Sequence, residues 1–250
     1  MTAAAIIAAL CLPADARVDQ RVPKKLLVEN GAPTAADKRQ INDGIEELLW
    51  LAALKPATIG VPAYRDETRE YLEIAVLSLT LRPRAKAARL TELIHRAIPY
   101  PVFLILTQPT GLMLSLAHLR WSQGQSGQTV LDGPLVPATV DAETPATNGF
   151  LASLNVTSQP RQHLRALYQG WMERFEAYAA GRLTGSFTPA TDAAAAERRR
   201  AALAEHERLT RNIASLRARA DKESQLNRRV ELNLEIKRLQ AQLAEVARQL

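Results

Sequence analysis

The chain has 250 residues, of which 47% are hydrophobic and only 5% aromatic, and its formal net charge is +6. That length allows one large domain or a domain with an appendage, and the dominance of Ala and Leu predicts a helix-rich fold. A single cysteine, Cys11, excludes disulfides and any multi-cysteine metal site.

Met1–Ala16 has an apolar middle but no Lys or Arg ahead of it, which a secretory signal needs. It reads as a short packing helix ending at Leu12-Pro13, with Cys11 a buried thiol in a reducing cytoplasm. Nothing elsewhere is apolar over enough length to span a bilayer. Ala14–Pro33 reads as an extended linker in which Lys24 and Lys25 are solvated. Thr34 is an expected N-cap with Asp37 three residues on. The helix it opens carries Ile41, Ile45, Leu48, Leu49 and Ala52 on one stripe and ends at Lys55-Pro56.

Glu70–Leu81 is dense enough in β-formers for a strand, and Arg84–Ala97 follows as a helix burying Leu90, Leu93, Ile94 and Ala97. Ile98-Pro99-Tyr100-Pro101 then holds the chain extended ahead of a second strand, Val102–Thr107. A helix of that length between two strands predicts a parallel pair. Gln108-Pro109-Thr110-Gly111 suits a turn into a third strand, Leu112–Leu119. This hairpin is apolar on both faces, so it belongs in the middle of a sheet. Ser122–Gly127 reads as a polar loop, Gln128–Leu131 as a short edge strand and Pro134–Asn155 as a surface loop. Gln159–Ala180 is an expected helix with Leu164, Leu167, Trp171, Phe175 and Tyr178 on one stripe, stopped by Gly181.

The remainder, from Ala190, has no Gly or Pro. Leu209, Ile213, Leu216 and Ala220 form one heptad seam, and Ile236, Leu239, Leu243, Val246 and Leu250 another in a different phase. Between them Asp221–Asn233 is polar. It reads either as a skipped register in one long helix or as the bend of a hairpin, and the absence of turn residues favours a mostly continuous helix. The expected architecture is therefore α/β (α+β): a small mixed sheet of about four strands flanked by helices over residues 1–183, then a long helical coiled-coil segment over 184–250.

Catalytic constellations are sparse. The four histidines, His95, His118, His163 and His206, have no metal-ligand spacing, and neither Gly111 nor Gly124–Gly127 sits in a strand–loop–helix phosphate cradle. A sheet with one crossover helix invites comparison with restriction-type nuclease cores. Those need an Asp and a Glu-x-Lys on adjacent strands. Glu70, Glu73 and His118 are the only candidates, and the hairpin supplies no Asp, Glu or Lys. No catalytic residue, metal or cofactor is assigned.

From Asp192 onward 13 Lys and Arg face 9 Asp and Glu, so +4 of the +6 lies in the last 59 residues. Arg198, Arg199 and Arg200, with Arg217, Arg219, Lys222, Arg228 and Arg229, are the strongest hint of nucleic acid. No aromatic lies among them for base stacking, and Glu205, Glu207 and Glu231 dilute the charge.

Four features together resemble an uncharacterised bacterial family, the domain of unknown function four-three-nine-one. They are Val18–Lys24 (VDQRVPK), Trp50, Ile98–Pro101 (IPYP) and Lys222–Asn233 (KESQLNRRVELN). The resemblance covers nearly the whole chain and departs from it in the longer stretch Gln123–Ala152. It implies a place beside the helicases and DNA methyltransferases of restriction-like, phage-defence clusters. It supplies no catalytic residues. The expected function is a non-catalytic accessory or adaptor subunit acting through protein contacts, with DNA-phosphate contacts possible in principle and a diverged nuclease or direct DNA-binding protein as the alternative. The seam residues Leu209, Ile213, Leu216, Ile236, Leu239, Leu243 and Val246 are expected to bind a helicase or methyltransferase subunit or a second copy. The polar motif Lys222, Glu223, Gln225, Asn227, Arg228, Arg229, Glu231 and Asn233 is a second place to look for a partner. No membrane partner is expected.

Overall fold

The computed structural model describes residues 1–124, 127–140 and 144–250. The remaining positions, 125–126 and 141–143, fall in the expected polar and surface loops and lie outside the described residues. The chain forms two units, Met1–Phe175 and Glu176–Leu250.

The first unit opens with helix α1 (Ala3–Leu10), strand β1 (Arg17–Arg21), and helices α2 (Lys24–Gly31) and α3 (Ala35–Gly44). Strand β2 (Ile45–Leu54) and the single turn α4 (Pro56–Ile59) follow, then the short strands β3 (Tyr64–Arg65) and β4 (Glu70–Tyr71). Next come β5 (Ile74–Leu81), α5 (Ala87–Ala97), β6 (Val102–Gln108), β7 (Gly111–Leu116), β8 (Leu119–Trp121), β9 (Thr129–Leu131), β10 (Val136–Val140) and α6 (Pro145–Ser153). Helix α7 (Leu164–Thr184) runs across the boundary into the second unit.

Six strands form one sheet in the order β1-β2-β5-β6-β7-β10, larger than the four expected, and β3-β4 and β8-β9 form two small ribbons. The crossover expectation holds: β5 and β6 are parallel, with Leu77 opposite Leu104. The hairpin β6-β7 closes with Gln108 opposite Gly111. Alternation along β6 sends Leu104 and Leu106 to one side, where α2, α3 and α5 contribute Leu27, Ile41, Leu90 and Leu93. Phe103 goes to the other, its ring 4.9 Å from Trp171 and 5.7 Å from Phe175 of α7.

Several expectations are corrected. The helix capped by Thr34 ends at Gly44, and Ile45–Leu54 is a strand paired with both β1 and β5. Its apolar residues fit helical spacing, but strand partners on both edges take up its main-chain hydrogen bonds, and that non-local pairing overrides local pattern. Ala14–Pro33 is not a linker. It supplies edge strand β1 and helix α2, and the half-buried Lys24 donates to the carbonyls of Asn42, at 2.9 Å, and Ile45. The strand expected over Glu70–Leu81 is interrupted at Leu72-Glu73, and that over Leu112–Leu119 at Ala117-His118. Thr129–Leu131 pairs with β8 rather than at the edge of the main sheet.

Pro134–Asn155 contains β10, antiparallel to β7, and α6, whose Thr144 cap and Pro145 at the first turn bring Phe150 into the core. Pro137 is tolerated because β10 is an edge. Cys11 is exposed rather than buried. It closes α1 in the left-handed region (φ 48°), one residue beyond the apolar Leu10. The stop after α7 is Gly185 (φ 88°), four residues past Gly181.

Candidate partner-binding surface

The second unit is organised around two helices, α8 (Ala193–Lys222) and α9 (Leu226–Ala247). Asp192 caps α8, its Oδ1 accepting from the Ala195 N–H at 2.7 Å. The expectation of a mostly continuous helix is overturned, and a coiled coil is not shown: the chain breaks over Glu223–Gln225. Glu223 and Gln225 are both extended, and the Glu223 carboxylate accepts from the Gln225 N–H at 2.8 Å. A side chain thus does what Gly or Pro does in more legible turns.

The two helices fold back on each other. Ile213, Leu216, Ala220 and Ile236 form a buried cluster completed by Leu232, Leu239 and Leu243. Leu209 is fully buried, and Val246 shares a hollow at the open end with Arg198 and Ala202. The first seam therefore meets the second within one chain. The phase difference between them is what a bend produces.

The bend exposes a different apolar face. Leu226, Val230 and Leu234 are 64%, 48% and 63% exposed. Their four-residue spacing puts them on one side of α9, turned away from Leu232, Ile236 and Leu239. Leu226 and Val230 lie inside the polar motif, and Leu234 follows it directly. Lys222 ends α8, Glu223 and Gln225 form the link, and Asn227, Arg228, Arg229, Glu231 and Asn233 flank the stripe as exposed side chains. Residues 226–238 carry four basic and two acidic side chains, so the stripe has a net positive border. The spacing was legible in the sequence, but its phase became visible only with the break at Glu223.

Arg198, Arg199 and Arg200 differ in setting, and Arg198 is exposed. Arg200 Nε donates to the Glu176 carboxylate at 2.8 Å, and Arg199 is half-buried. Arg217, Arg219, Lys222, Arg228 and Arg229 are exposed near the bend.

The candidate nuclease residues are all engaged in the first unit. Glu70 pairs with Arg65 at 3.3 Å, and Glu73, 6% exposed along its side chain, pairs with Lys55 at 3.1 Å. His118 lies between the Tyr71 hydroxyl and Gln169 Oε1, the latter at 2.9 Å, and burial lowers its pKa. Tyr168 beside it donates to Val102 O at 2.7 Å and accepts from the Ala117 N–H at 2.8 Å. This polar knot repairs the main-chain interruption between β7 and β8. Among the described residues no group of three or more His, Cys, Asp or Glu gathers as a metal site. No helix among them is long and apolar enough to cross a membrane.

The molecule is thus a mixed α/β sheet domain followed by a helical hairpin. A model of one protein family, the domain of unknown function DUF4391, matches residues 10–243, and the chain belongs to that family. No curated protein and no solved structure gives a significant match.

Proposed function

We propose that this chain is a non-catalytic accessory subunit that joins a larger assembly through protein contacts made by the outer face of α9. The observation that carries this reading is the exposed stripe Leu226, Val230 and Leu234. Three large apolar side chains on one helix face cost solvation free energy until something covers them. The net positive border favours a partner helix whose apolar face is flanked by acidic residues. The family resemblance points to a helicase or methyltransferase of a restriction-like defence cluster as that partner. The ion-paired state of Glu70 and Glu73 gives the nuclease alternative no support from geometry.

The test is co-expression with a helicase and a methyltransferase of a restriction-like cluster, the partners the resemblance implies, read by size-exclusion chromatography with light scattering. One of them should co-elute with the wild-type chain and not with the Leu226→Asp/Leu234→Asp double variant. A monomeric chain that retains neither contradicts the reading.

A second reading has its own observation. Arg217, Arg219, Lys222, Arg228 and Arg229 cluster in sequence on either side of the bend and are exposed. They suit sequence-independent contact with DNA phosphates. Duplex affinity that falls steeply with salt and drops on Arg228→Ala/Arg229→Ala would support it. Affinity indifferent to both would remove it.

A further inference from the structure

We propose that the first unit also carries a peptide-docking groove, whose occupant is an extended acidic and apolar segment of a partner protein added to the free edge of β1. Three stretches singled out in the sequence, far apart along the chain, converge here. The end of β1, Trp50 of β2, and Pro99-Tyr100 after α5 line one groove of about 400 Å³ together with Leu26 and Leu27 of α2. Its size falls in the range of ordinary ligand sites. The floor is preformed. Gly31 of α2 lies so close to α5 that an added Cβ would sit 2.6 Å from the Ala97 Cβ. Trp50 is fixed by its Nε1, which donates to Ala52 O at 2.9 Å.

The groove adjoins an unpaired sheet edge. Among the described residues β1 is the terminal strand and bonds only β2. The Val22 N–H donates to Leu48 O at 2.8 Å, so by alternation the main-chain groups of Arg21 face away from β2. Asp19 (φ 48°) sits in an irregularity between Arg17 and Gln20, so the free donor and acceptor at this edge are those of Arg21, and one extended residue paired there beside an apolar hollow is a short form of strand addition. The edge gives affinity, and the hollow selects side chains.

Charge chooses the occupant. Residues 17–31 hold four basic side chains against two acidic ones. Arg17 is spent on Asp19 at 3.1 Å, Lys25 on Glu29 at 3.7 Å, and Lys24 on backbone carbonyls. Arg21 reaches Glu47 only at 3.9 Å and its side chain is 67% exposed, which leaves it open to a partner's carboxylate at the groove. A nucleic-acid strand needs a track of several such cations, whereas one Arg beside Leu26, Pro23 and Trp50 fits a peptide.

The test is panning of a random peptide display library against the full-length chain, with binding of the enriched peptide then measured by fluorescence anisotropy. Enriched peptides should be acidic, with aromatic or branched apolar residues at alternate positions, and should protect the Arg21 amide from deuterium exchange. Leu26→Asp and Arg21→Glu, both at exposed positions, should each weaken binding about tenfold. Failure to enrich any peptide, or binding indifferent to both substitutions, overturns the proposal. So does labelled oligothymidylate that binds the wild-type chain and is lost in Leu26→Asp, which would assign the groove to nucleic acid. Because this groove lies in the first unit, its failure leaves the α9 reading untouched.

Discussion

Arg89 of α5 holds Asp37 of α3 in a two-pronged ion pair, Nε to Oδ1 at 2.8 Å and Nη2 to Oδ2 at 2.9 Å. Thr34 completes the arrangement. Its hydroxyl donates to Asp37 Oδ2 at 2.7 Å and accepts from the Asp37 N–H at 3.1 Å. Thr34 therefore caps α3, while the Asp37 carboxylate braces that cap and ties the helix to α5, far along the chain. The hydrogen bonds from Arg89, and then from Thr34, hold the Asp37 pKa at about 2. A carboxyl whose pKa is lowered by folding contributes stability that is present above its unfolded pKa and lost as pH falls toward the folded one. Asp37→Asn should lower the melting temperature at pH 7 and bring it closer to that of the wild type as pH falls from about 4 to about 2. Thermal melts across that range measure it, and an Asn variant with unchanged stability at pH 7 would show the pair to be idle.

Tyr168 serves Val102 O and the Ala117 N–H from a fully buried position. Tyr168→Phe keeps the ring and strands those main-chain groups without a partner. The expected cost is about 1–3 kcal/mol. Urea unfolding should show a lower midpoint with an unchanged slope.

His95, 1% exposed, is bonded through Nε2 to the Ser115 hydroxyl at 3.0 Å, and burial holds its pKa down to about 3. It stays neutral in the folded chain while the unfolded chain takes up a proton below about pH 6.5. Stability due to this residue therefore falls as pH drops from about 6.5 toward 3, by about 1.4 kcal/mol per pH unit well inside that window. His95→Gln should flatten the acid limb of a stability–pH curve. An imidazole seen by NMR to titrate near 6.5 in the folded state would contradict the assignment.

What the sequence made legible was local. The β5–α5–β6 crossover and the β6–β7 hairpin rest on neighbouring residues: a helix of crossover length, Pro99 and Pro101, and the turn at Pro109-Gly111. The misread pieces depend on distant partners. Ile45, Leu48 and Ala52 fit a helix until β1 and β5 are known to flank them. Strand β10 carries Pro137 and little alternation, so only its pairing with β7 marks it. The bend at Glu223 has no Gly or Pro, so neither the hairpin nor the outward phase of Leu226, Val230 and Leu234 could be read from spacing alone.

The hairpin itself is measurable. Arg198 and Gln249 border one hollow at its open end. Spin labels at Arg198→Cys and Gln249→Cys, in a Cys11→Ser background, should report a short separation, set by helix axes about 8–10 Å apart plus the label arms. A continuous helix would place the two positions about 75 Å apart.

The central claim is that the outer face of α9 is covered in the assembled state. Deuterium exchange of the chain alone and in complex with whichever partner co-purifies with it tests it most directly. Protection confined to residues 226–238, and lost with the complex in Leu226→Asp/Leu234→Asp, is the predicted result. A complex that forms while residues 226–238 exchange as freely as in the isolated chain would contradict it.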